Sequence, residues 1–375
     1  MSAPQPFEPT REAAHARLAA LQPEAYARSR NHLEGAVTHL SPYLTHGLLG
    51  LAEVLQALRE RHGLDESHKL VQELGWRAYF HHVWRHRGEA IFASLHAGPL
   101  PDDAYAPTLP EDIRRGATGV PAIDRAVRTL YATGYLHNHA RLWLASYVVH
   151  LRKVHWRAGA DWLYGHLLDG DLASNHLSWQ WVAGTGSHKP YLFNADNVAR
   201  FAPREWHSAG SAIDLSYEAL DALARRPREV GGGRGEPVDE PALHRTPPPG
   251  LATAAGPLPP AAALVHPWSL AGAPPGGPAA GVFFADFHAR WPWSERRWRF
   301  AADRLQQIAG VPHWCEGPVP AGATAWADPH AAPWLAGARA MPVAAAFDEP
   351  ARACASFTQY WRGTRMARAG SGARA

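Results

Sequence analysis

The chain has 375 residues, of which 46% are hydrophobic, and its formal net charge is +3 with neutral histidines. This length and hydrophobic content allow a large core and predict two domains. The small net charge excludes strong non-specific nucleic-acid binding driven by overall charge, and leaves open a local basic face.

Cysteine usage and hydropathy narrow the class of protein further. The sequence holds two cysteines, Cys315 and Cys354, which are too few for a disulfide framework and exclude an iron–sulfur cluster held by cysteine ligands. No apolar run reaches about 18 residues, and no charged-then-apolar leader opens the chain. We therefore expect a cytoplasmic protein with no membrane partner.

The N-terminal part of the chain predicts helices. The first begins after Thr10, whose side chain can accept from the first amides, and helical periodicity continues over Leu51–Leu58 and Leu70–Phe92. Between them, Tyr26–Gly47 places small hydroxyls at a helix start. Such a helix start suits an anion, because the helix dipole and unbonded amides favour negative charge, although an ordinary capped helix is the simpler interpretation.

The helix over Leu70–Phe92 carries a polar and aromatic group on one side. Glu73, Trp76 and Arg77 have helical spacing, so they project together. A carboxylate can bond the polar edge of a flat ring while an indole stacks on its face. The alternative is an amphipathic core helix with Trp76 inward. His82 and His86 have ligand spacing, but the sequence shows no third ligand, so we predict no metal site.

The densest part of the sequence is LLDGDLASNHLSWQWVAGTG. Asp169 and Asp171 are followed by Asn175 and Trp179, which lie one helical turn apart and share a face. Arg141, on a second amphipathic helix upstream, is a natural partner for one of the acids. An acid, an arginine, an amide and indoles describe a site for a flat ring with polar edges.

The C-terminal third changes composition. Residues 216–260 are rich in glycine and proline and predict a linker. Beyond them, a helix is expected with a cap at Ser294 and an end at Gly310. The alternation of strands and helices predicts a small α/β unit with a largely parallel sheet. Its strands are expected in ALVHPWSLAG, GVFFADF, HWCEG, ATAWADP and PVAAAFDEP.

Four segments carry a family resemblance. TGVPAIDRAVRTLYATGYLHNHARLWLAS, HWRAG, LLDGDLASN and WQWVAGTG follow one another in the order found in the FAD-binding half of the photolyase and cryptochrome family, which residues 7–203 closely resemble. The resemblance implies a mainly α fold. The implied helical FAD-binding domain is expected over 1–215. The composition places the linker over 216–260 and a small α/β unit of unknown role over 261–375.

The resemblance also implies FAD as the cofactor. Val37 stands where the family has a threonine, which removes one hydroxyl contact to the diphosphate. Arg141 and Asp169 would be buried as a pair, because either charge alone in a low-dielectric site costs several kcal/mol. Asn175 matches the residue that touches the flavin nitrogen whose protonation separates radical states. The implied cofactor-binding residues are Tyr26, Thr38, Leu40, Ser41, Arg77, Arg141, Asp169, Asp171 and Asn175.

The family's antenna-binding α/β domain normally precedes the FAD half. Only about 25 residues precede Tyr26, which is too few for a domain, so we expect no antenna chromophore site there.

The implied activity is that of a deoxyribodipyrimidine photolyase, a carbon–carbon lyase. Excited reduced flavin gives an electron to a cyclobutane pyrimidine dimer that is flipped out of DNA, and recovers it after the ring opens. Repair of six-four lesions needs histidines at the positions of Asn138 and Leu142, and the neighbouring His139 points about 100° away along the helix. The residues implied to line the dimer pocket are Glu73, Trp76, Asn138, Leu142 and Trp181.

Electron transfer to the flavin in this family uses three tryptophans. Trp179 and Trp156 match the inner two, whereas the third position falls near Asp103. Tyr105 is the nearest oxidisable substitute, with Trp143 and Trp162 as other exits. We therefore expect a photoreduction route that differs at its outer end.

Two other functions remain open from the sequence. The first is a blue-light or redox sensor that binds FAD without repairing DNA and meets a protein partner through residues 261–375. The second is a dark FAD-binding scaffold whose aromatic residues only pack. The segment TGSHKPYLFNADN lacks an arginine that repair enzymes carry, which removes a phosphate contact. We expect the protein to be a monomer. We expect its binding partner to be DNA that contains pyrimidine dimers.

Overall fold

The computed structural model describes residues 7–367. Its α-helices are α1 (Arg11–Ala19), α2 (Pro23–Ser29), α3 (Ser41–Thr45), α4 (Leu51–His62), α5 (Lys69–Arg87), α6 (Glu111–Arg114), α7 (Pro121–Thr133), α8 (Asn138–Ser146), α9 (Trp156–His166), α10 (Leu172–Ala183), α11 (Ala195–Phe201), α12 (Tyr217–Ala224), α13 (Ala285–Arg290), α14 (Glu295–Ala309) and α15 (Phe357–Gly363). Its β-strands are β1 (Leu243–His244), β2 (Ala263–Val265), β3 (Ala279–Phe284), β4 (Trp293–Ser294), β5 (His313–Cys315), β6 (Thr324–Trp326) and β7 (Arg339–Met341). Within this part of the chain, no helix combines the length and apolar character needed to cross a bilayer.

The N-terminal helices begin where the sequence predicts. The Thr10 side chain accepts a hydrogen bond from the Ala13 amide at 3.1 Å, which caps α1. Helix α4 begins at Leu51, as predicted. Helix α5 is shorter than predicted, because Gly88 adopts a φ of +53° and the chain continues as a 3-10 turn over Gly88–Phe92.

The chain folds into two compact units that alternate along the sequence. The first unit holds residues 7–23, 38–85 and 242–367, and the second holds 24–37 and 86–241. This grouping differs from the predicted boundaries, because residues 38–85 join the C-terminal residues rather than the rest of 1–215. The N-terminal helices α4 and α5 thus belong with the sheet.

The second unit is a helical bundle with an aromatic core. Helix α7 buries Ile123, Val127 and Leu130 at helical spacing, and α8, α9 and α10 pack around Trp143 and Trp179. Helices α9 and α10 approach closely at Gly159, where an added Cβ would lie 2.3 Å from the Trp179 ring. The bundle therefore holds α8, α9 and α10 in fixed register.

The first unit contains a five-stranded sheet. Its strand order is β5-β3-β2-β6-β7, and all neighbours are parallel, which confirms the predicted parallel sheet. Helix α14 covers the sheet through Trp298, Ala301 and Leu305. Two short strands, β1 and β4, pair separately and antiparallel.

Two predictions for the C-terminal third are corrected. PVAAAFDEP is not a strand: β7 ends at Met341, because Pro342 has no amide to donate to a ladder. Helix α14 begins after Ser294 and ends at Gly310 as predicted, but the Ser294 side chain makes no capping hydrogen bond.

The predicted linker 216–260 is also partly structured. It contains α12, and the residues after α12 run along the second unit as a glycine-rich strap (residues 228–241). The amides of Val230, Gly233 and Val238 donate to backbone carbonyls of residues 151, 118 and 115 at 2.8, 2.7 and 2.8 Å. An added Cβ at Gly233 would lie 2.7 Å from the Thr118 oxygen. The glycines thus permit close backbone contact rather than flexibility.

Candidate functional site

The predicted ion pair between α8 and the loop before α10 is present. Arg141 Nη2 donates to both carboxylate oxygens of Asp169 at 3.0 and 2.8 Å, and Arg141 Nε donates to the Leu136 carbonyl at 2.7 Å. The Asp169 side chain is only 2% exposed, whereas that of Arg141 is 23% exposed. The carboxylate is thus held by the guanidinium, whose outer edge still reaches the surface of the unit.

The loop between α9 and α10 is fixed at both ends. The Leu168 amide donates to the Gly134 carbonyl at 2.7 Å, directly after α7. Asp171 caps α10 by accepting from the Ser174 amide at 2.7 Å. Both acids therefore lie at the N-terminal end of α10, where the helix dipole favours negative charge. This capping role of Asp171 was not predicted, and its contact to a cofactor stays a prediction.

Asn175 lies one turn into α10 and is oriented by α9. Its Nδ2 donates to the Ala160 carbonyl at 2.8 Å. That bond fixes the amide so that Oδ1 faces the other way. Among residues 7–367, no group donates to this oxygen, which leaves Asn175 half-buried with an acceptor to offer.

The two inner indoles are core residues of the second unit. Trp179 and Trp156 are each 2% exposed, and Trp156 Nε1 donates to Ser94 Oγ at 3.0 Å. The His155 ring lies 5.6 Å from Trp156 and 6.4 Å from Tyr105. Tyr105 is half-buried, and this burial raises the pKa of its phenol. A continuous series of rings thus runs from Trp156 to Tyr105.

His176 is a feature that sequence reasoning missed. It is fully buried next to Asn175 on α10, and its Nε2 lies 2.9 Å from Asp161 Oδ1. Burial lowers the pKa of His176, despite the neighbouring carboxylate. Its ring lies 5.0 Å from Phe92 and 6.5 Å from Trp156. Only its position between Asn175 and Trp179 in the sequence could have signalled it.

Three of the predicted pocket residues lie on α8 and α10, which pack together in the second unit. Asn138 is exposed, Leu142 is half-buried, and Trp181 is 37% exposed with its ring 5.6 Å from Tyr191. His139 is buried instead, with Nδ1 2.7 Å from the Asn31 carbonyl and Nε2 3.2 Å from the Tyr191 hydroxyl. His139 therefore does not share the surface of Asn138 and Leu142, as predicted.

The remaining predicted pocket residues, Glu73 and Trp76, belong to the first unit, as does Arg77, which was predicted to bind the cofactor. Glu73 forms an ion pair with Lys69 at 3.2 Å, and Arg77 Nη1 donates to Thr45 Oγ1 at 3.4 Å. Trp76 is half-buried, and its ring stacks on Phe357 of α15 at 4.0 Å. The aromatic surface of α5 is thus covered by a segment that the sequence did not connect with it.

The predicted diphosphate residues are divided between the units. Tyr26 lies in α2 of the second unit, and Thr38, Leu40 and Ser41 lie in the first. Thr38 Oγ1 accepts from the Leu40 amide at 3.3 Å, and Leu40 is buried. Helix α3 has five residues, and Pro42 lacks an amide, so few donors are left for an anion at its start. Their role in phosphate binding stays a prediction.

One cavity was not predicted. It has a volume of about 370 Å³ and lies in the second unit between the residues after α2 and the end of α11. Its lining includes Ser29, His32, Gly35 and Arg200. This volume is in the lower range of small-ligand sites. The predicted segment Tyr26–Gly47 includes Ser29, His32 and Gly35, but the residues selected within it as ligand contacts lie outside the cavity lining.

Comparison with known proteins places the site in a wider context. Residues 70–212 match a family model described as the FAD binding domain of DNA photolyase. The deoxyribodipyrimidine photo-lyase of Streptomyces griseus is 36% identical over 216 residues, which are 53% of this chain and 46% of that protein. The cryptochrome DASH of Idiomarina loihiensis is 31% identical over 209 residues, with the same two coverages of 53% and 46%.

Among solved structures, a Synechocystis cryptochrome is 28% identical with a TM-score of 0.45, over 51% of this chain and 43% of that one. The chain spans about half the length of the curated relatives it matches.

Proposed function

We propose that this protein binds FAD and repairs cyclobutane pyrimidine dimers in DNA under blue light. The proposal is supported by the match of residues 70–212 to a family model described as the FAD binding domain of DNA photolyase. Bound FAD, when reduced and excited, would supply the electron that opens the dimer. The tasks of the protein are then to hold the flavin, to present the flipped dimer to it and to exclude water.

The observation that carries the proposal is the arrangement of Arg141 and Asn175. Arg141 uses Nε and one Nη for protein partners, and Asn175 uses its Nδ2, which leaves one guanidinium nitrogen and one amide oxygen for a ligand. A flavin ring has both carbonyl and N–H groups along its polar edge, so a fixed donor and a fixed acceptor fit it. Asp169 and Ala160 hold the two side chains in place, which reduces the entropy lost on binding.

The DNA side of the proposal rests on α8 and α10. Trp181 offers an exposed indole on which a flipped base can stack, and Leu142 provides an apolar neighbour. Asn138 is exposed on the same helix as Leu142, one turn earlier, and can bond a base edge. These residue types suit a pyrimidine dimer, whose linked rings have apolar faces and polar edges.

A second candidate function is a light or redox sensor that binds FAD without repair. One observation favours it: Trp76, which would stack on the lesion, stacks on Phe357 within the chain. In a sensor this contact would be permanent.

The test uses purified full-length protein. We expect yellow protein with flavin absorbance, and dimer loss from a dimer-containing oligonucleotide under blue light with a reductant. The variant Arg141→Gln should lose bound FAD, whereas the exposed Arg125→Gln should keep it. Colourless protein that does not take up FAD at micromolar concentration, about 8 kcal/mol of binding, would overturn the proposal. Bound FAD without repair would favour the sensor.

A further inference from the structure

The C-terminal residues of the described chain hold the aromatic face of α5. Trp76 and Phe357 are stacked with ring centroids 4.0 Å apart and an interplanar angle of 11°. Phe357 in turn stacks on Trp361 at 5.3 Å and 22°. Three rings thus form a continuous stack from α5 to α15 in the first unit.

The backbone of α5 is shaped for this contact. Gly75 precedes Trp76, and a Cβ added at Gly75 would lie 2.1 Å from the Trp361 ring. Only glycine allows the indole to lie this close to the helix. Tyr360, 1% exposed, packs one turn further along α5 with its ring 5.6 Å from Tyr79. The whole inner face of α15 therefore fits α5.

Polar contacts fix the segment around α15, here called the C-terminal clasp (residues 347–366). Glu349 accepts from His82 Nδ1 at 2.5 Å and from Arg85 at 2.6 Å, and the Cys354 amide donates to His82 Nε2 at 3.0 Å. The Met366 amide donates to Glu66 at 2.8 Å. The clasp is thus bonded to α5 and the preceding turn at several points.

The position occupied by Phe357 has the geometry of a stacked nucleobase. Flat rings stack at about this separation on an indole, and a base and a phenyl ring compete for the same area. Helix α5 lies within the family match over 70–212, whereas the clasp lies outside it. The ring on Trp76 is therefore supplied by a part of the chain that the family domain does not include.

We propose that Phe357 is a specificity-determining residue that occupies the base-stacking face of Trp76 and must be displaced before a lesion can stack there. This inference rests on the proposed function, because it takes Trp76 to be a substrate contact. Only a ligand that gains more from Trp76 and its neighbours than Phe357 does will open the clasp. Undamaged bases, which must first be unstacked from DNA, are thereby disfavoured.

The test compares binding in the dark. Dissociation constants of the parent, Phe357→Ala and Thr358→Ala are measured by fluorescence anisotropy with an oligothymidylate that contains one cyclobutane dimer. Thr358 is exposed on the same helix, so Thr358→Ala is the matched control. We expect Phe357→Ala to bind about 5- to 10-fold more tightly than the parent, because the competing ring is gone, and Thr358→Ala to bind like the parent.

A second pair of variants separates competition from loosening of the fold. The gain from Phe357→Ala should vanish when Trp76→Ala is added. Phe357→Leu keeps the apolar volume without a flat ring, so it tests the same idea if Phe357→Ala does not fold. The inference is overturned if neither Phe357 variant binds more tightly, or if the gain persists without Trp76.

Light-driven repair by the parent is scored separately. Tighter dark binding by Phe357→Ala without any repair supports this inference and contradicts the proposed function. Repair by the parent together with unchanged binding by the Phe357 variants supports the proposed function and contradicts this inference.

Discussion

The two helices that carry the proposed base-stacking tryptophans are covered differently. On α10, Trp181 is 37% exposed, with Tyr191 at 5.6 Å as its ring neighbour. On α5, Trp76 is face to face with Phe357 at 4.0 Å. One indole is ready for a ligand and the other has an internal partner. Two tryptophans with the same proposed role can therefore differ in whether a ligand can reach the ring.

The largest effect is expected from breaking the ion pair between Arg141 and Asp169. Replacing Arg141 by Ala removes the guanidinium that pairs with the Asp169 carboxylate, whose side chain is 2% exposed. We expect a loss of about 3–5 kcal/mol in unfolding free energy, because removing one member of a buried ion pair is costly. Urea unfolding followed by tryptophan fluorescence measures this. Asp169→Asn in the same background should restore part of the stability, and a single Arg141→Ala that unfolds like the parent would contradict the prediction.

Acid is expected to lower the unfolding free energy of the second unit through His150. Burial lowers the pKa of His150 to about 4, and its Nε2 donates to the Val182 carbonyl at 2.9 Å. The pKa of His150 is lower in the folded protein than the value of about 6.5 in the unfolded chain. The stability that results from this difference is therefore fully present at pH 7, and it is lost as the pH falls from about 6.5 towards 4. We expect a loss of about 2–3 kcal/mol between pH 7 and pH 4.5 from this residue.

The variant His150→Gln isolates that titration. Glutamine can place its amide nitrogen near the position of Nε2 and donate to the Val182 carbonyl, but it does not titrate. Its unfolding free energy should therefore fall less between the two pH values than that of the parent. Equal falls in both proteins would show that His150 is not the group responsible.

The variant Gly75→Ala tests the close packing of α5 against α15. The added methyl would meet the Trp361 ring at 2.1 Å, so we expect a loss of about 1–3 kcal/mol in stability. In a Trp361→Ala background the clash is absent, and the same change should stabilise by up to about 1 kcal/mol through helix propensity. Thermal unfolding of the four proteins measures both signs. A Gly75→Ala effect that is the same in both backgrounds would rule out this contact.

The smallest effect concerns the glycine-rich strap. Its backbone bonds should protect Arg234 from trypsin, whereas proteolysis in an unbonded linker would be fast. In Gly233→Ala the Cβ would lie 2.7 Å from the Thr118 oxygen, so cleavage after Arg234 should increase several-fold. Mass spectrometry of early fragments follows this. Rapid cleavage of the parent after Arg234 would show that this segment is an unbonded linker, as the sequence predicts.

The site on α8 to α10 was more predictable than the one on α5 because its partners are close in sequence. Arg141 and Asp169 are 28 residues apart, and Asn175 and Ala160 are 15 apart. By contrast, His82 and Glu349 are 267 apart. Periodicity and motif spacing report on contacts within a helix or between neighbouring helices. They carry no information about which distant segment packs on an exposed face.

The predicted linker failed for a related reason. Gly233 has the composition of a flexible segment, but here the missing side chain lets two backbones meet. The sheet was predictable apart from β7, because its central strands β2 and β3 are short apolar runs. Its order, and the membership of α4 and α5 in the same unit, depend on tertiary contacts that no local pattern records.

The alternation of the two units has a consequence for synthesis on the ribosome. His82 is made 267 residues before Glu349, so α5 emerges long before the clasp that covers it. At about 5–20 residues per second, its aromatic face is bare for roughly 10–50 s. The second unit, nearly continuous in sequence, can fold during that interval. A nascent chain that pauses before residue 347 would present Trp76 to chaperones, and translation speed would then set how much protein matures.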